Sequence, residues 1–143
     1  MVSFSYPALF EKGADGRILV TFPGLPGAAT DGRDEREALM EAMDCLAEAL
    51  AQRMVEKREI PPPAPVRRGQ RAVPVPLALA PKVALYRAMR EMGLSNVEMA
   101  RKHGVTENVI RRMLDPKHAT RAERIQRALA VLGRRLVVGV EAA

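Results

Sequence analysis

The stretch Asn96-Val97-Glu98-Met99-Ala100-Arg101-Lys102-His103-Gly104-Val105-Thr106-Glu107-Asn108-Val109-Ile110-Arg111-Arg112-Met113-Leu114 has the spacing of two short helices joined by a tight turn. Helices that cross closely need a small residue at the contact, here Ala100, and a residue tolerant of positive φ in the turn, here Gly104. Met99, Val105, Ile110 and Met113 fall where such a pair buries apolar surface. The pattern is a helix-turn-helix. Thr106 stands where it can cap the second helix, so that Thr106, Glu107 and Asn108 face whatever the motif docks against. One turn later, Arg111 and Arg112 are placed to reach a guanine edge or a phosphate, and Asn108 suits adenine. Which arginine does which stays open. Lys102, Lys117, His118, Thr120 and Arg121, at helix ends and loops, are phosphate-contact candidates. His103 reads as a helix-end residue reaching to solvent rather than a proton-transfer group.

The plainer alternative is a structural helical hairpin with a solvated arginine face, and the charge distribution weighs against it. Residues 61–143 hold 16 basic and 6 acidic side chains, a net +10, whereas residues 1–60 hold 7 basic and 11 acidic, a net −4. A polyanion is drawn to the second half, and the first half suits a basic protein surface.

Before this motif, Pro81 suits the first turn of a helix carrying Leu85, Tyr86, Met89 and Met92 inward, which Gly93 ends. After it, a helix at about Arg121 to Leu132 sets Ile125, Ala128, Leu129 and Leu132 on one face. Arg135 to Val140 is a C-terminal strand candidate in which Leu136, Val138 and Val140 alternate. No neighbouring strand exists in this helical segment, so pairing with a second copy is the expected way to satisfy its backbone. A homodimer follows, and a tetramer stays open.

The first half reads differently. Phe4, Tyr6, Ala8 and Phe10 alternate within Val2 to Glu11, a strand with one buried face. Turn residues 12–16 lead to a second strand, Ile18 to Phe22, which Pro23-Gly24-Leu25-Pro26-Gly27 stops. A short strand through Ala28 and Thr30 is weakly signalled. From about Asp34 to Glu56, Leu39, Ala42, Met43, Leu46, Leu50 and Met54 form one apolar helical stripe. Asp34, Glu35 and Glu37 open this helix in accord with its dipole, and Cys45 lies on the flank as a small apolar residue. Residues 60–70, with four prolines, form an extended arm, and Val73, Val75 and Leu77 point one way in a following edge strand. The fold class is α+β: a small sheet with one helix over residues 1–78, then an all-α helix-turn-helix domain with a C-terminal strand over residues 79–143.

Composition narrows the function classes. The chain has 143 residues, 48% hydrophobic and 28% charged, which is ordinary globular chemistry. Aromatics at 3% without Trp leave no stacking platform for single-stranded nucleic acid. No apolar run reaches membrane-span length and Met1 to Phe10 lacks signal-peptide character, so a cytoplasmic location with no membrane partner is expected. One Cys and two His exclude a disulfide framework and a thiolate zinc cluster. No cofactor or metal is expected. A nuclease built on paired cations needs carboxylates converging from the first strand, whose interior has none, so no catalytic residue is assigned.

With these residues assembled, the whole chain resembles the HicB antitoxins of type II toxin–antitoxin systems. The N-terminal match is Tyr6-Pro7-Ala8-Leu9-Phe10-Glu11, Asp15-Gly16, Phe22-Pro23-Gly24-Leu25-Pro26-Gly27, Glu37-Ala38-Leu39 and Ile60-Pro61-Pro62. The C-terminal match is Lys82 to Arg90, Met99-Ala100-Arg101, Arg112-Met113-Leu114-Asp115-Pro116 and residues 127–133. The family commonly carries an acidic residue where Gly24 stands and a polar or cysteine residue near Ala28. The resemblance implies a truncated ribonuclease H-like first domain that blocks a HicA-type mRNA-cleaving ribonuclease, and a second domain that represses the operon at operator DNA. Tyr6, Phe22, Leu25, Asp34 and Glu35 are the corresponding toxin-contact candidates. The alternatives are a stand-alone transcription factor whose first domain senses a ligand and, from a third class, a metal-dependent nuclease.

Overall fold

The computed structural model describes residues 3–142; Val2, with which the sequence opens its first strand, and Ala143, which closes its second domain, lie outside the described residues. The elements are β1 (Ser5–Lys12), β2 (Ile18–Thr21), β3 (Ala29–Gly32), α1 (Glu35–Val55), β4 (Arg71–Pro74), α2 (Ala80–Glu91), α3 (Asn96–His103), α4 (Glu107–Leu114) and α5 (Ala122–Val131). They gather into two compact units, Met1–Ala80 and Pro81–Ala143.

The first unit is an antiparallel four-stranded sheet of order β3-β2-β1-β4 with α1 packed on it. Gly13 N–H donates to Arg17 O at 2.8 Å and closes the β1–β2 hairpin, with Gly16 at φ 83°. Tyr6, Ala8, Ile18, Val20 and Val73 point to one face and are buried. Their alternates Pro7, Leu9, Leu19, Ala72 and Pro74 are half-buried or exposed, so the second face of the sheet stays open. β4 is an edge strand, as its prolines require.

Asp34 N-caps α1, its carboxylate accepting from Glu37 N–H at 2.8 Å. The buried line of α1 is Ala38, Ala42, Leu46, Leu50 and Met54, while Leu39 and Met43 are only half-buried shoulders. This corrects the stripe expected from sequence, and close approach of the sheet is the reason. A Cβ on Gly32 would lie 2.4 Å from Ala38 N, so β3 runs against the α1 backbone and only small residues fit between them. Past α1, Ile60 is buried and the Tyr6 hydroxyl donates to Pro61 O at 2.7 Å, pinning the start of the proline-rich arm to the core. Leu77, expected inward with Val73 and Val75, is 67% exposed, because the strand has ended and the chain turns, Leu79 and Ala80 N–H both donating to Pro76 O.

The second unit packs α2 to α5 around Leu85, Met89, Met99, Ala100, Ile110, Met113, Ile125, Ala128, Leu129 and Leu132. Met92, expected inward, is exposed: α2 stops at Glu91, Gly93 turns at φ 66°, and Leu94 takes the place against the core. Among the described residues Arg135 to Val140 forms no ladder, since those of this unit form helices and no strand to pair with. Leu136 packs on the helical core while Val137, Val138 and Val140 are exposed.

Candidate functional site

The helix-turn-helix is built from local rules. Ser95 and Glu98 form a reciprocal capping box at the start of α3, and Ser95's hydrogen bonds hold the Glu98 carboxyl below its ordinary pKa. Gly104 ends α3 in the left-handed conformation at φ 73°, and Val105 N–H donates to Ala100 O at 3.0 Å. Met99 and Ala100 are buried where α3 meets α4, and His103 is half-buried at the helix end. Thr106 occupies the N-cap position of α4, yet its side chain makes no capping bond, so the cap foreseen from sequence is one of backbone conformation only.

Asn108, Arg111 and Arg112, three and four residues apart, lie on the side of α4 away from buried Ile110 and Met113, and all three are exposed. Arg111 is held by Glu107, guanidinium to carboxylate 2.6 Å, a pair that orients its fork along the helix. Lys102 is exposed in the last turn of α3, and Arg121 is exposed at the N-cap position of α5. In the connecting loop, Lys117 N–H donates to Asp115 Oδ1 at 2.9 Å and His118 N–H to Asp115 O at 3.1 Å, leaving both side chains exposed. Thr120 differs: it is half-buried, with its hydroxyl beside His118 Nδ1 at 3.0 Å and accepting from the Lys82 ammonium at 3.0 Å. Sequence reasoning gave no site role to Lys82, nor to the exposed Arg101, Arg124 and Arg127 that add to the positive charge of this unit. For the three arginines the helical period carried the signal. For Lys82 it carried none, because a lysine is ordinarily a surface residue. Burial lowers the Lys82 pKa from its ordinary value, with nearby Asp115 opposing the shift.

The first unit places its five candidates in two groups. Tyr6, Phe22 and Leu25 are at most 3% exposed, so in this conformation their side chains build the core rather than present a surface. Asp34 and Glu35 are exposed at the start of α1, on an open cleft shared with Phe10, Lys12, Ile18 and Arg33. Glu35 stands 3.5 Å from Arg71, whose guanidinium lies 4.4 Å above the Phe10 ring. Cys45 is half-buried, and burial with nearby Glu48 pushes its thiol pKa up, which disfavours the nucleophilic thiolate. Among the described residues no three His, Cys, Asp or Glu side chains gather to hold a metal ion, and no helix is long and apolar enough to cross a membrane.

Comparison with known proteins matches residues 5–84 to the family model described as the HicB_like antitoxin of bacterial toxin-antitoxin system. Antitoxin HicB 2 of Photorhabdus laumondii is 37% identical over 131 residues, 92% of each chain. Antitoxin HicB 1 of the same organism is 33% identical over 95% of this chain and 86% of its own length. Antitoxin HicB of Escherichia coli K12 is 31% identical over 92% of this chain and 95% of its own. The similarity thus extends through both units, well past the segment that the family model covers. The chain belongs to the HicB-like antitoxin family of bacterial toxin–antitoxin systems.

Proposed function

We propose that the two units divide the work of an autoregulating antitoxin acting in the cytoplasm. Residues 81–143 bind operator duplex DNA, with the start of α4 in the major groove. The observation that carries this reading is the exposed Asn108–Arg111–Arg112 face on a helix-turn-helix in a segment, residues 81–143, that holds 13 basic and 6 acidic side chains, a net +7. Lys102, Lys117, His118 and Arg121 supply phosphate contacts. Exposed Val137, Val138 and Val140 support pairing of the C-terminal segment with a second copy, and a two-fold dimer then reads two half-sites one helical turn apart.

Residues 1–80 bind and block a small basic ribonuclease of the HicA type. The net −4 of residues 1–60 supports an encounter with a cationic surface; the open sheet face around Leu9, Glu11 and Leu19 and, separately, the exposed Asp34 and Glu35 at the start of α1 supply groups to meet it. Tyr6, Phe22 and Leu25 act from beneath, as the core on which that surface is built. A ligand-sensing first unit is less well supported, because the cleft at Phe10 is open and rimmed by charges rather than enclosed and apolar. Co-expression with the adjacent small basic reading frame tests the toxin half: co-elution and rescue of growth are expected, and neither occurring overturns it.

A further inference from the structure

Lys82 is the one buried charged side chain among the described residues, 2% exposed, and it sits on α2, outside the helices that the DNA-binding reading uses. An ammonium taken out of water is tolerated only where acceptors surround it. Here Nζ donates to Arg112 O at 3.1 Å, Met113 O at 3.1 Å and Thr120 Oγ1 at 3.0 Å, which occupies all three of its donors. The two carbonyls belong to the last turn of α4, where the helix dipole favours a cation, and Arg112 O accepts from Asp115 N–H at 3.2 Å as well. Thr120 continues the chain of contacts, donating to Arg112 O at 3.4 Å and lying 3.0 Å from His118 Nδ1. One buried cation therefore joins α2, the exit of α4 and the loop at 115–121.

We propose that Lys82 is a positioning residue for duplex DNA, holding the end of α4 and the loop bearing Lys117, His118 and Arg121 in the conformation that meets phosphates. The inference rests on the DNA-binding reading above. From its buried site Lys82 touches no ligand, so whatever it contributes passes through the backbone of Arg112 and the hydroxyl of Thr120. Thr120, already engaged by Lys82, Arg112 and His118, relays this order instead of contacting phosphate itself, a role different from the one read off the sequence. The gain is preorganisation: a loop fixed before binding loses less conformational freedom when DNA arrives.

The test uses the full chain and a duplex carrying its own upstream promoter, with affinity read by fluorescence anisotropy across a salt series and folding followed by circular dichroism at the same temperature. Lys82→Met removes the three donors and keeps the side chain's length; Thr120→Val removes the hydroxyl and keeps its shape; Thr120→Ser restores the hydroxyl. Lys82→Met and Thr120→Val are expected to fold yet bind more weakly. Their slope of log affinity against log salt should be shallower by about 1 to 2, the loss of one or two phosphate contacts. Thr120→Ser should keep the wild-type slope, and the double variant should lose less than the sum of the two single losses. Folded variants with the wild-type slope would overturn the inference and leave the DNA-binding reading standing. Should Lys82→Met not fold, Thr120→Val against Thr120→Ser decides alone. A wild-type chain that ignores duplex overturns both.

Discussion

Replacing Gly32 by alanine tests the construction of the first unit with a single methyl group. An added Cβ would stand 2.4 Å from Ala38 N, 2.6 Å from Ala38 Cα and 2.9 Å from Glu37 C. All three atoms are backbone of the first turns of α1, so no side chain can swing aside; strand and helix must separate. Overpacking of this kind destabilises by about 1 to 3 kcal/mol. In a unit of some 80 residues each kcal/mol moves the thermal midpoint by about 4 to 8 °C, so a fall of roughly 5 to 20 °C is expected. Gly24→Ala is the internal control: nothing lies within 4 Å of its Cβ and its φ is not positive, so a change within about 0.5 kcal/mol is expected. Differential scanning calorimetry of the two variants beside wild type reads the difference, with attention to the transition of the first unit if the two units melt separately. The separation also carries the Asp34 and Glu35 end of α1 away from the sheet, so Gly32→Ala should bind toxin less well and DNA unchanged. Equal midpoints for Gly32→Ala and Gly24→Ala would refute the described contact between β3 and α1.

Three further outcomes follow from the same structure. Arg111→Ala or Arg112→Ala should weaken operator binding, and loss of about 1 to 3 kcal/mol of base discrimination, read by competition with mismatched duplexes, marks the one that reads an edge; two unaffected variants would contradict the docking of α4. A chain ending at Arg134 should sediment as a monomer where the full chain is a dimer, and a persisting dimer removes the C-terminal segment from that role. Asp31, Glu37, Glu56, Glu91 and Glu98 all have carboxyl pKa values held below their ordinary range by hydrogen bonds from partners such as Arg17, Arg33, Arg134 and Ser95. A depressed carboxylate pKa contributes stability that is complete above the unfolded value, about 4, and is lost as pH falls through the folded value. Thermal midpoints should therefore hold steady from neutrality to about pH 5 and decline below pH 4; a midpoint flat to pH 2 would refute these pairings.

Elements whose causes are local were legible in the chain. Alternation of Tyr6 and Ala8 marks a strand wherever that strand packs, and Gly104 permits the turn between α3 and α4 with no help from distant residues. What stayed hidden depends on contacts far along the sequence. Periodicity favoured Leu39 and Met43 over Ala38 because it weighs hydrophobicity; the structure weighs space, and β3 at Gly32 leaves room only for alanine. Leu77 and Met92 extended a pattern one step beyond the point where the element had already turned. Tyr6, Phe22 and Leu25 were sound as apolar landmarks but faced the core rather than the surface. Lys82 shows the limit most plainly, since its acceptors are 30, 31 and 38 residues away and two are backbone carbonyls, which no sequence pattern reveals.

The central claim is that one chain carries both a basic DNA-reading surface and an acidic toxin-binding one, and binding of the intact, folded protein to its own promoter duplex as salt rises tests it most directly. Saturable binding that weakens linearly in log salt, with a slope of several units set by the phosphates neutralised, is the result the account expects. Folded protein that leaves the duplex free even at low ionic strength would contradict it.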